Sequence, residues 1–450
     1  MGGFGRSKRR PYNNMFLTLS ELKNFIPKRD TYFVFGYPIS HSLSPVLHAD
    51  FFKNSGIDAD YFAVEIPKSD LKEAVSIIKG YAKGVNLTIP LKECVIPLLD
   101  EIDAVAEKIG AVNTLKFENG RVKGYNTDYY GIINSVELKD KKILILGNGG
   151  AAKAFLHASL DFGKNVTVCG RDICKVKEFC KNTAAVPADY ENLSIEADTV
   201  ILNATPLGMG KLISQIPVRE NIIKNASVVF DSIYNPKKTN LLVIAEIFNK
   251  KIINGIPMLI HQGIKAEEIW GNTGTCTLTE FSDEKRVENI ILMGFMGSGK
   301  STVGRILASE TVRPFFDIDS LIEDTCNMKI SEIFEKSGEE YFRKIEAEIC
   351  RKISCLNGCI IVTGGGIIKS KENINALKGN GKIYFINPDL SEIYKRLIDD
   401  TDRPLIKNKE NIEKLYYERI EVYKREADFV ISKNSSEEVV RFFHDLRDGY

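Results

Sequence analysis

The sequence predicts an α/β protein throughout, and three observations carry that expectation. KKILILGNGGAAKAFLHA begins at residue 141, and there an apolar run meets a glycine cluster and then a helix-like stretch. NIILMGFMGSGKSTVGRILA, from residue 289, repeats the order. Strand, glycine-rich turn and helix together open a nucleotide-binding α/β unit. Upstream, the strand-like runs TYFVFG, DYFAVEI and GVNLTI alternate with helical patterns such as LKEAVSIIKGYA, which again reads as α/β.

Length and composition bound the function. A chain of 450 residues predicts about three compact units. Lys and Arg number 61 against 60 Asp and Glu, a formal charge of +1, which argues against a nucleic-acid or anionic-membrane binder. Nine cysteines (94, 169, 174, 180, 276, 326, 350, 355 and 359) include no CxxC pair, so neither a disulfide framework nor a zinc site is expected. No apolar run approaches the length of a membrane span. MGGFGRSKRR is basic but lacks the apolar core of a secretory signal. The expectation is a cytoplasmic enzyme with a disordered basic tail over residues 1–14.

Each element follows from its residues. In the first cluster, Gly147 permits a tight turn, Gly149 lets backbone approach a pyrophosphate, and Gly150 and Ala151 open the helix whose N-terminus stabilises that anion. The next strand, NVTVCGRD, ends without the acid that would bond a ribose 2′-hydroxyl. Arg171 and Lys175 stand there instead, which favours NADP over NAD; the alternative is a pair of solvated surface charges. Asp172 competes as an acid, or else caps the next helix.

The N-terminal part holds polar clusters unlike ordinary core. Gly36-Tyr-Pro-Ile-Ser-His41-Ser42-Leu-Ser44-Pro45 is one, and Asn86-Leu-Thr88-Ile-Pro-Leu-Lys92 a second. The third is Ala111-Val-Asn113-Thr114 with Gly124-Tyr-Asn-Thr-Asp128. Converging hydroxyls and amides with one Lys and one Asp suit a small hydroxylated carboxylate. Hydride transfer to a ketone needs a proton donor, for which Lys92 beside Asp128 qualifies. The alternative for each cluster is turn chemistry.

In the second cluster, Gly294-Phe-Met-Gly297-Ser298-Gly299-Lys300-Ser301-Thr302 satisfies the P-loop pattern. Backbone N–H groups would cradle phosphates, Lys300 would reach the β- and γ-phosphates, and Ser301 would hold Mg²⁺. Phe315-Phe-Asp317-Ile-Asp319 sets two acids at alternate positions, which a continuing strand would point to opposite sides. Arg343 offers a cation for a carboxylate, with Glu346 placed to hold it. Gly364-Gly365-Gly366 after CIIVT suggests close backbone approach by a ligand. Arg403, in the polar stretch DDTDRPLIKNKEN, reads as a lid cation for the transferring phosphoryl group.

Taken together, residues 32–275 resemble shikimate dehydrogenase. Besides the segments already quoted, the match rests on Asn203-Ala-Thr-Pro206-Leu-Gly208-Met209, Asp231-Ser-Ile-Tyr234-Asn235-Pro236 and Asn254-Gly255-Ile-Pro-Met258-Leu-Ile-His-Gln262-Gly263. The resemblance implies that Lys92 and Asp128 form the catalytic pair. It implies that Ser42, Ser44, Thr88, Asn113 and Gln262, with Tyr234 nearby, hold the substrate, and that Gly255 lies at the cofactor. Two positions depart from the pattern. Tyr129 replaces the usual glycine after Asn-Thr-Asp, and Gly170-Arg171-Asp172 replaces Asn-Arg-Thr.

Residues 289–432 resemble shikimate kinase. That resemblance implies shikimate binding by Asp319, Arg343, Gly365, Gly366 and Arg419, with Asp319 the acceptor-orienting base, Arg403 the lid arginine and Asp317 assisting Mg²⁺ through water. Arg419 stands four residues before Tyr423, as the family's spacing expects.

The expected layout is therefore a tail over 1–14, a substrate domain over 15–128 plus 254–280, and a Rossmann NADP domain over 129–253. A linker over 281–287 leads to a P-loop kinase domain over 288–450. NADPH, ATP and Mg²⁺ are the implied cofactors, 3-dehydroshikimate and shikimate the implied small-molecule partners, and the oligomeric state stays open. The competing assignment is an NAD-preferring quinate/shikimate dehydrogenase fused to another small-molecule P-loop kinase.

Overall fold

The computed structural model describes residues 15–40, 42–276, 286–398 and 409–448. The chain divides into two compact units: Met1–Thr205 with Asn225–Tyr234 and Ile253–Ser282, and Pro206–Lys224 with Asn235–Ile252 and Asp283–Tyr450. The expected tail and residues 281–285 of the expected linker lie outside the described residues.

The first sheet has seven strands: β1 (Phe16–Thr18), β2 (Asp30–Gly36), β3 (Ala59–Glu65), β4 (Ala82–Leu87), β5 (Glu101–Ile102), β6 (Thr114–Glu118) and β7 (Arg121–Tyr125). Their order is β1-β3-β2-β4-β6-β7-β5. The three strand-like runs expected upstream of residue 141 are β2, β3 and β4. Pairing is parallel from β1 to β4 and antiparallel through β4, β6 and β7. Helices α1 (Leu19–Lys23), α2 (Ser44–Ser55), α3 (Leu71–Ile78) and α4 (Ala104–Ile109) connect these strands, and α5 (Asp128–Ile133) follows the last of them.

Strand β2 shows why this sheet is two-faced yet buried. Phe33 and Phe35 join one apolar cluster with Leu71, Ala74 and Ile78 of α3. Tyr32 and Val34, on the alternate positions, join another with Leu47 and Phe51 of α2 and with Trp270. Helices cover both faces, so the strand reads as a continuous apolar run.

The second sheet contains β8 (Lys142–Leu146), β9 (Val166–Cys169), β10 (Val186–Ala188), β11 (Thr199–Asn203), β12 (Ala226–Asp231) and β13 (Lys251–Ile253), in the order β10-β9-β8-β11-β12-β13. Its β8, β9, β10, β11 and β12 pairings are parallel. The glycine turn leads from β8 into α6 (Gly150–Phe162), followed by α7 (Ile173–Cys180), α8 (Glu220–Asn225), α9 (Asn240–Ile247) and α10 (Ile256–Trp270).

The third sheet, β15-β16-β14-β17-β18, is parallel and puts the P-loop strand at its centre. Its strands are β14 (Asn289–Met293), β15 (Phe315–Asp317), β16 (Ile360–Val362), β17 (Gly381–Ile386) and β18 (Phe429–Ile431). The helices are α11 (Lys300–Thr311), α12 (Ile318–Cys326), α13 (Ile330–Ile353), α14 (Lys371–Lys378), α15 (Leu390–Ile398), α16 (Lys409–Glu426) and α17 (Ser436–Asp448). Gly338, at φ 79°, kinks α13 and re-aims the turn that carries Arg343.

Two substitutions test this packing. The Trp270 indole donates from Nε1 to the Leu115 carbonyl at 2.9 Å, and a Cβ on Gly84 would stand 2.0 Å from that nitrogen. Gly84→Ala therefore expels the indole from its partner and is expected to cost about 2 kcal/mol or more, measured by denaturant unfolding.

In the second unit, burial and nearby Asp324 push the Glu220 carboxyl up to about 7 from 4.5. A raised carboxyl pKa means the folded state holds a proton the unfolded chain has released. Stability is then lost as pH rises through roughly 4.5 to 7. Glu220→Gln removes the loss, so its Tm should exceed the parent's at pH 8 and match it at pH 4.

Candidate active sites

Lys92 and Asp128 meet as an ion pair, with Lys92 Nζ 2.5 Å from Asp128 Oδ2 and the side chains only 13% and 8% exposed. Lys92 lies in the turn after β4, and Asp128 opens α5. The other Asp128 oxygen accepts from Asn113 Nδ2 at 3.0 Å. Asn113 is oriented in turn by the Thr127 backbone N–H, which donates to its Oδ1 at 2.7 Å. Thr127 Oγ1 reaches Gln262 Oε1 of α10 at 3.3 Å. Three distant polar segments thus converge.

The remaining expected substrate groups sit on neighbouring turns. Ser44 N donates to Ser42 Oγ at 3.2 Å at the start of α2. Thr88 is half-buried beside Gly36, and the half-buried Tyr234 bonds backbone at Leu43, its phenol pushed up by burial.

The dinucleotide turn fits its expected ligand. Gly147 has φ 104°, which a side chain rarely adopts, and a Cβ there would press on Thr205 at 3.1 Å. Gly149 is exposed with open space about it, and Gly150 begins α6. Ala151 follows on the first turn of that helix. Free N–H groups at a helix start and unobstructed backbone suit a pyrophosphate. A Cβ on Gly150 would lie 3.4 Å from Lys92 Cδ, so the Lys92 side chain runs alongside this turn. Gly255 precedes α10, its missing side chain replaced by the Ser232 carbonyl 2.1 Å from the Cβ position.

Arg171 and Lys175 are exposed after β9. Asp172 accepts from the N–H groups of Cys174 and Lys175, so this acid caps α7. The Tyr129 hydroxyl bonds Asp161 of α6 at 2.8 Å, and Lys108 pairs with the same carboxylate at 2.6 Å.

The P-loop surrounds a cavity of about 450 Å³ lined by Gly297, Gly299, Lys300, Ser301, Thr302, Asp317, Asp319, Gly365 and Arg396, among others. Gly299 takes φ 89° as the cap of α11. Lys300 Nζ bonds the carbonyls of Gly294 and Phe295 at 3.0 and 2.9 Å and Ser298 Oγ at 3.4 Å. Its ammonium is thereby folded onto the loop that would carry phosphate. Ser301 Oγ donates to Asp317 Oδ2 at 2.9 Å. A hydroxyl beside a carboxylate supplies the hard oxygen donors that Mg²⁺ prefers.

Strand alternation does not separate the two acids. β15 ends at Asp317, which caps α12 by accepting from Asp319 N at 3.1 Å, so both carboxylates line one cavity.

Arg343 pairs with Glu346 at 2.8 Å and Glu339 at 3.2 Å. Burial pushes the Glu346 carboxyl up against the opposing pull of Arg343, while Lys369 and Arg343 hold Glu339 down. A Cβ on Gly366 would stand 2.8 Å from the Arg343 guanidinium, and one on Gly364 2.5 Å from Asp319 Oδ1. Arg419 and Tyr423, one turn apart on α16, both donate to the Gly365 carbonyl, at 3.1 and 2.5 Å. Arg403 lies outside the described residues.

Sequence reading missed three groups. Arg396 of α15 lines the cavity and donates to the Gly297 carbonyl at 3.4 Å, yet LSEIYKRLI carries no mark of it. Glu339 and Asn86 stand inside or beside the polar motifs but drew no role of their own. The i,i+4 spacing to Arg343 could have flagged the first.

Fold and sites define a chain that joins a dinucleotide-dependent oxidoreductase to a P-loop phosphotransferase. A family model described as the shikimate dehydrogenase substrate binding domain matches residues 34–115, and one described as shikimate kinase matches residues 296–446. Shikimate dehydrogenase (NADP(+)) of Clostridium beijerinckii is 43% identical over 246 residues, which cover 53% of this chain and 91% of that protein. The crystal structure of shikimate dehydrogenase 1 from Peptoclostridium difficile matches at 38% identity and a TM-score of 0.51, covering 54% of this chain and 93% of that one. Shikimate 5-dehydrogenase from Thermus thermophilus, in complex with NADP(H) and shikimate, matches at 30% identity and a TM-score of 0.51, covering 55% of this chain and 95% of that one. The chain belongs to the shikimate dehydrogenase family and carries a shikimate kinase domain in its C-terminal part.

Gly366→Ala forces the Arg343 guanidinium aside while leaving the P-loop intact. The KM of the kinase for shikimate should rise roughly tenfold, with the KM for ATP nearly unchanged. Arg343→Ala should show the same split more strongly.

Proposed function

We propose that this polypeptide reduces 3-dehydroshikimate to shikimate with NADPH and then phosphorylates the shikimate 3-hydroxyl with ATP and Mg²⁺. Consecutive chemistry supports the pairing, because the first product is the second acceptor. One observation carries the reading: the buried Lys92–Asp128 pair lies along the dinucleotide turn, where a proton donor must stand beside a hydride donor.

The hydride taken up by the carbonyl carbon in the reductive step would come from NADPH held at the Gly147–Ala151 turn. The Lys92 ammonium gives one proton to the oxygen as it gains negative charge, and Asp128 holds that ammonium in place. Asn113, Gln262, Thr88, Ser42 and Ser44 orient the hydroxyls and carboxylate, with Tyr234 at the edge. Gly147, Gly149, Gly150, Ala151 and Gly255 admit the dinucleotide. Arg171 and Lys175 meet the 2′-phosphate, a role supported by the engagement of Asp172 in capping α7.

In the kinase, Asp319 accepts the proton of the attacking hydroxyl, while Arg343, Arg419 and the Gly365–Gly366 backbone hold the acceptor. Gly294, Gly297, Ser298, Gly299 and Thr302 shape the phosphate cradle. Lys300 and Arg403 offset charge on the transferring group, and Ser301 with Asp317, through water, would hold the Mg²⁺, which would supply further positive charge there.

The functional modules we assign are residues 15–128 with 254–280, 129–253 and 288–450. None of the described helices is long and apolar enough to cross a membrane, and the near-zero formal charge supports small-molecule partners in the cytoplasm.

The test is a coupled assay. Given 3-dehydroshikimate, NADPH, ATP and Mg²⁺, NADPH should disappear and ADP appear in equal amounts, with kcat/KM for NADPH well above that for NADH. Lys92→Met should abolish NADPH loss yet leave ADP release from added shikimate intact. Turnover with NADH at the higher efficiency, or with quinate alone, refutes the assignment.

A further inference from the structure

Beyond Lys92 and Asp128, a file of buried polar side chains runs back into the first unit. The groups in it that can only donate or only accept determine which way its hydrogen bonds point. At one end the ionised Asp128 carboxylate can only accept, and the Thr127 backbone N–H can only donate. Asn113 lies between them, so its Oδ1 faces the N–H and its Nδ2 faces Asp128.

Thr114 Oγ1 approaches Asn113 Oδ1 at 3.0 Å, a contact in which only Thr114 can donate, and this is the shorter of its two acceptors, Thr127 Oγ1 lying 3.2 Å away. Asn86 then offers the edge that faces both Thr114 Oγ1, at 3.0 Å, and the Asn113 carbonyl, at 3.4 Å. Two acceptors on one edge require its NH₂ there, which turns Asn86 Oδ1 toward Tyr61. The Tyr61 hydroxyl, 2.6 Å away, therefore donates.

We propose that Tyr61 is a positioning residue of the dehydrogenase site: its hydroxyl heads a one-way file of donors, Tyr61 to Asn86 to Thr114 to Asn113 to Asp128, that locks both amides in the orientation the substrate meets. The proposal rests on the dehydrogenase reading given above.

Independent features suit Tyr61 to the task. Its ring is 3% exposed and lies parallel to the His48 imidazole, with centroids 4.1 Å apart and planes 4° apart. His48 is itself held by buried Glu267 through Nδ1 at 2.5 Å. Burial pushes the Tyr61 phenol well above its ordinary range, so the donor proton stays on oxygen. Ser44, one of the expected substrate hydroxyls, hydrogen-bonds the same phenol. Because hydrogen bonds aligned head to tail polarise one another, breaking the first link weakens the last.

The test uses the full chain and follows shikimate oxidation with NADP⁺; kinase turnover in the same molecules monitors folding. Tyr61→Phe keeps the stacked ring and removes only the donor. Its KM for shikimate should rise about tenfold, the equivalent of one lost hydrogen bond. The KM for NADP⁺ and the kinase turnover should stay at parental values.

Thr114→Val should cause a similar loss and Thr114→Ser should recover most of it. Tyr61→Phe combined with Thr114→Val should be no worse than the poorer single variant, since both cut one file. An unchanged KM for shikimate in Tyr61→Phe, or additive losses in the double variant, overturns the proposal. Equal rises in both KM values with falling kinase turnover also overturn it, as that marks general loosening. Absence of turnover in the parent chain overturns the dehydrogenase reading as well, whereas parental turnover with a silent Tyr61→Phe overturns this inference alone.

Discussion

An ammonium and a carboxylate withdrawn from water together govern the dehydrogenase half. Each charge, largely shielded from water, has the other as its counter-ion. Lys92 and Asp128 therefore need each other, and the requirement spreads outward. Asp128 must sit at the start of α5, Lys92 must leave the end of β4, and the second carboxylate oxygen must find Asn113. The antiparallel register of β4, β6 and β7 brings the ends of those strands, and with them the three polar segments, together.

The kinase half solves a different electrostatic problem with similar means. In this structure the cations around the P-loop cavity and the Gly365 turn rest on backbone carbonyls. Lys300 lies on Gly294 and Phe295, Arg396 on Gly297, and Arg419 on Gly365. Acids are placed by helix caps: Asp317 terminates β15, starts α12 and bonds Ser301 in one position. The same economy recurs at Asp172, whose capping of α7 occupies the acid that a ribose hydroxyl would otherwise engage.

Much of this was legible in the residues. The glycine clusters announced both nucleotide turns because backbone near phosphate tolerates few side chains and because Gly147 and Gly299 adopt positive φ. The polar strings around Ser42, Asn86 and Asn113 stood out because hydroxyls and amides have no place in an apolar core unless something pairs with them. Less was legible where pairing is long-range. Nothing local in YFAVE marks Tyr61 as the partner of Asn86, 25 positions away. Nothing local marks the Tyr129 hydroxyl as the partner of Asp161, 32 positions away. The two acids of FFDID looked divergent until the strand was seen to stop between them.

What the sequence by itself determined is the local chemistry: strand periodicity, glycine turns, capping residues and the inventory of charged groups. Those depend on neighbours within a few positions, so they can be read along a line. The tertiary structure alone decided which charges share a cavity, which amide edge faces which donor, and which way a file of hydrogen bonds runs. Orientation in a buried network propagates from the groups that can only donate or only accept, and here it runs from Asp128 and the Thr127 N–H to Tyr61, 67 positions before Asp128.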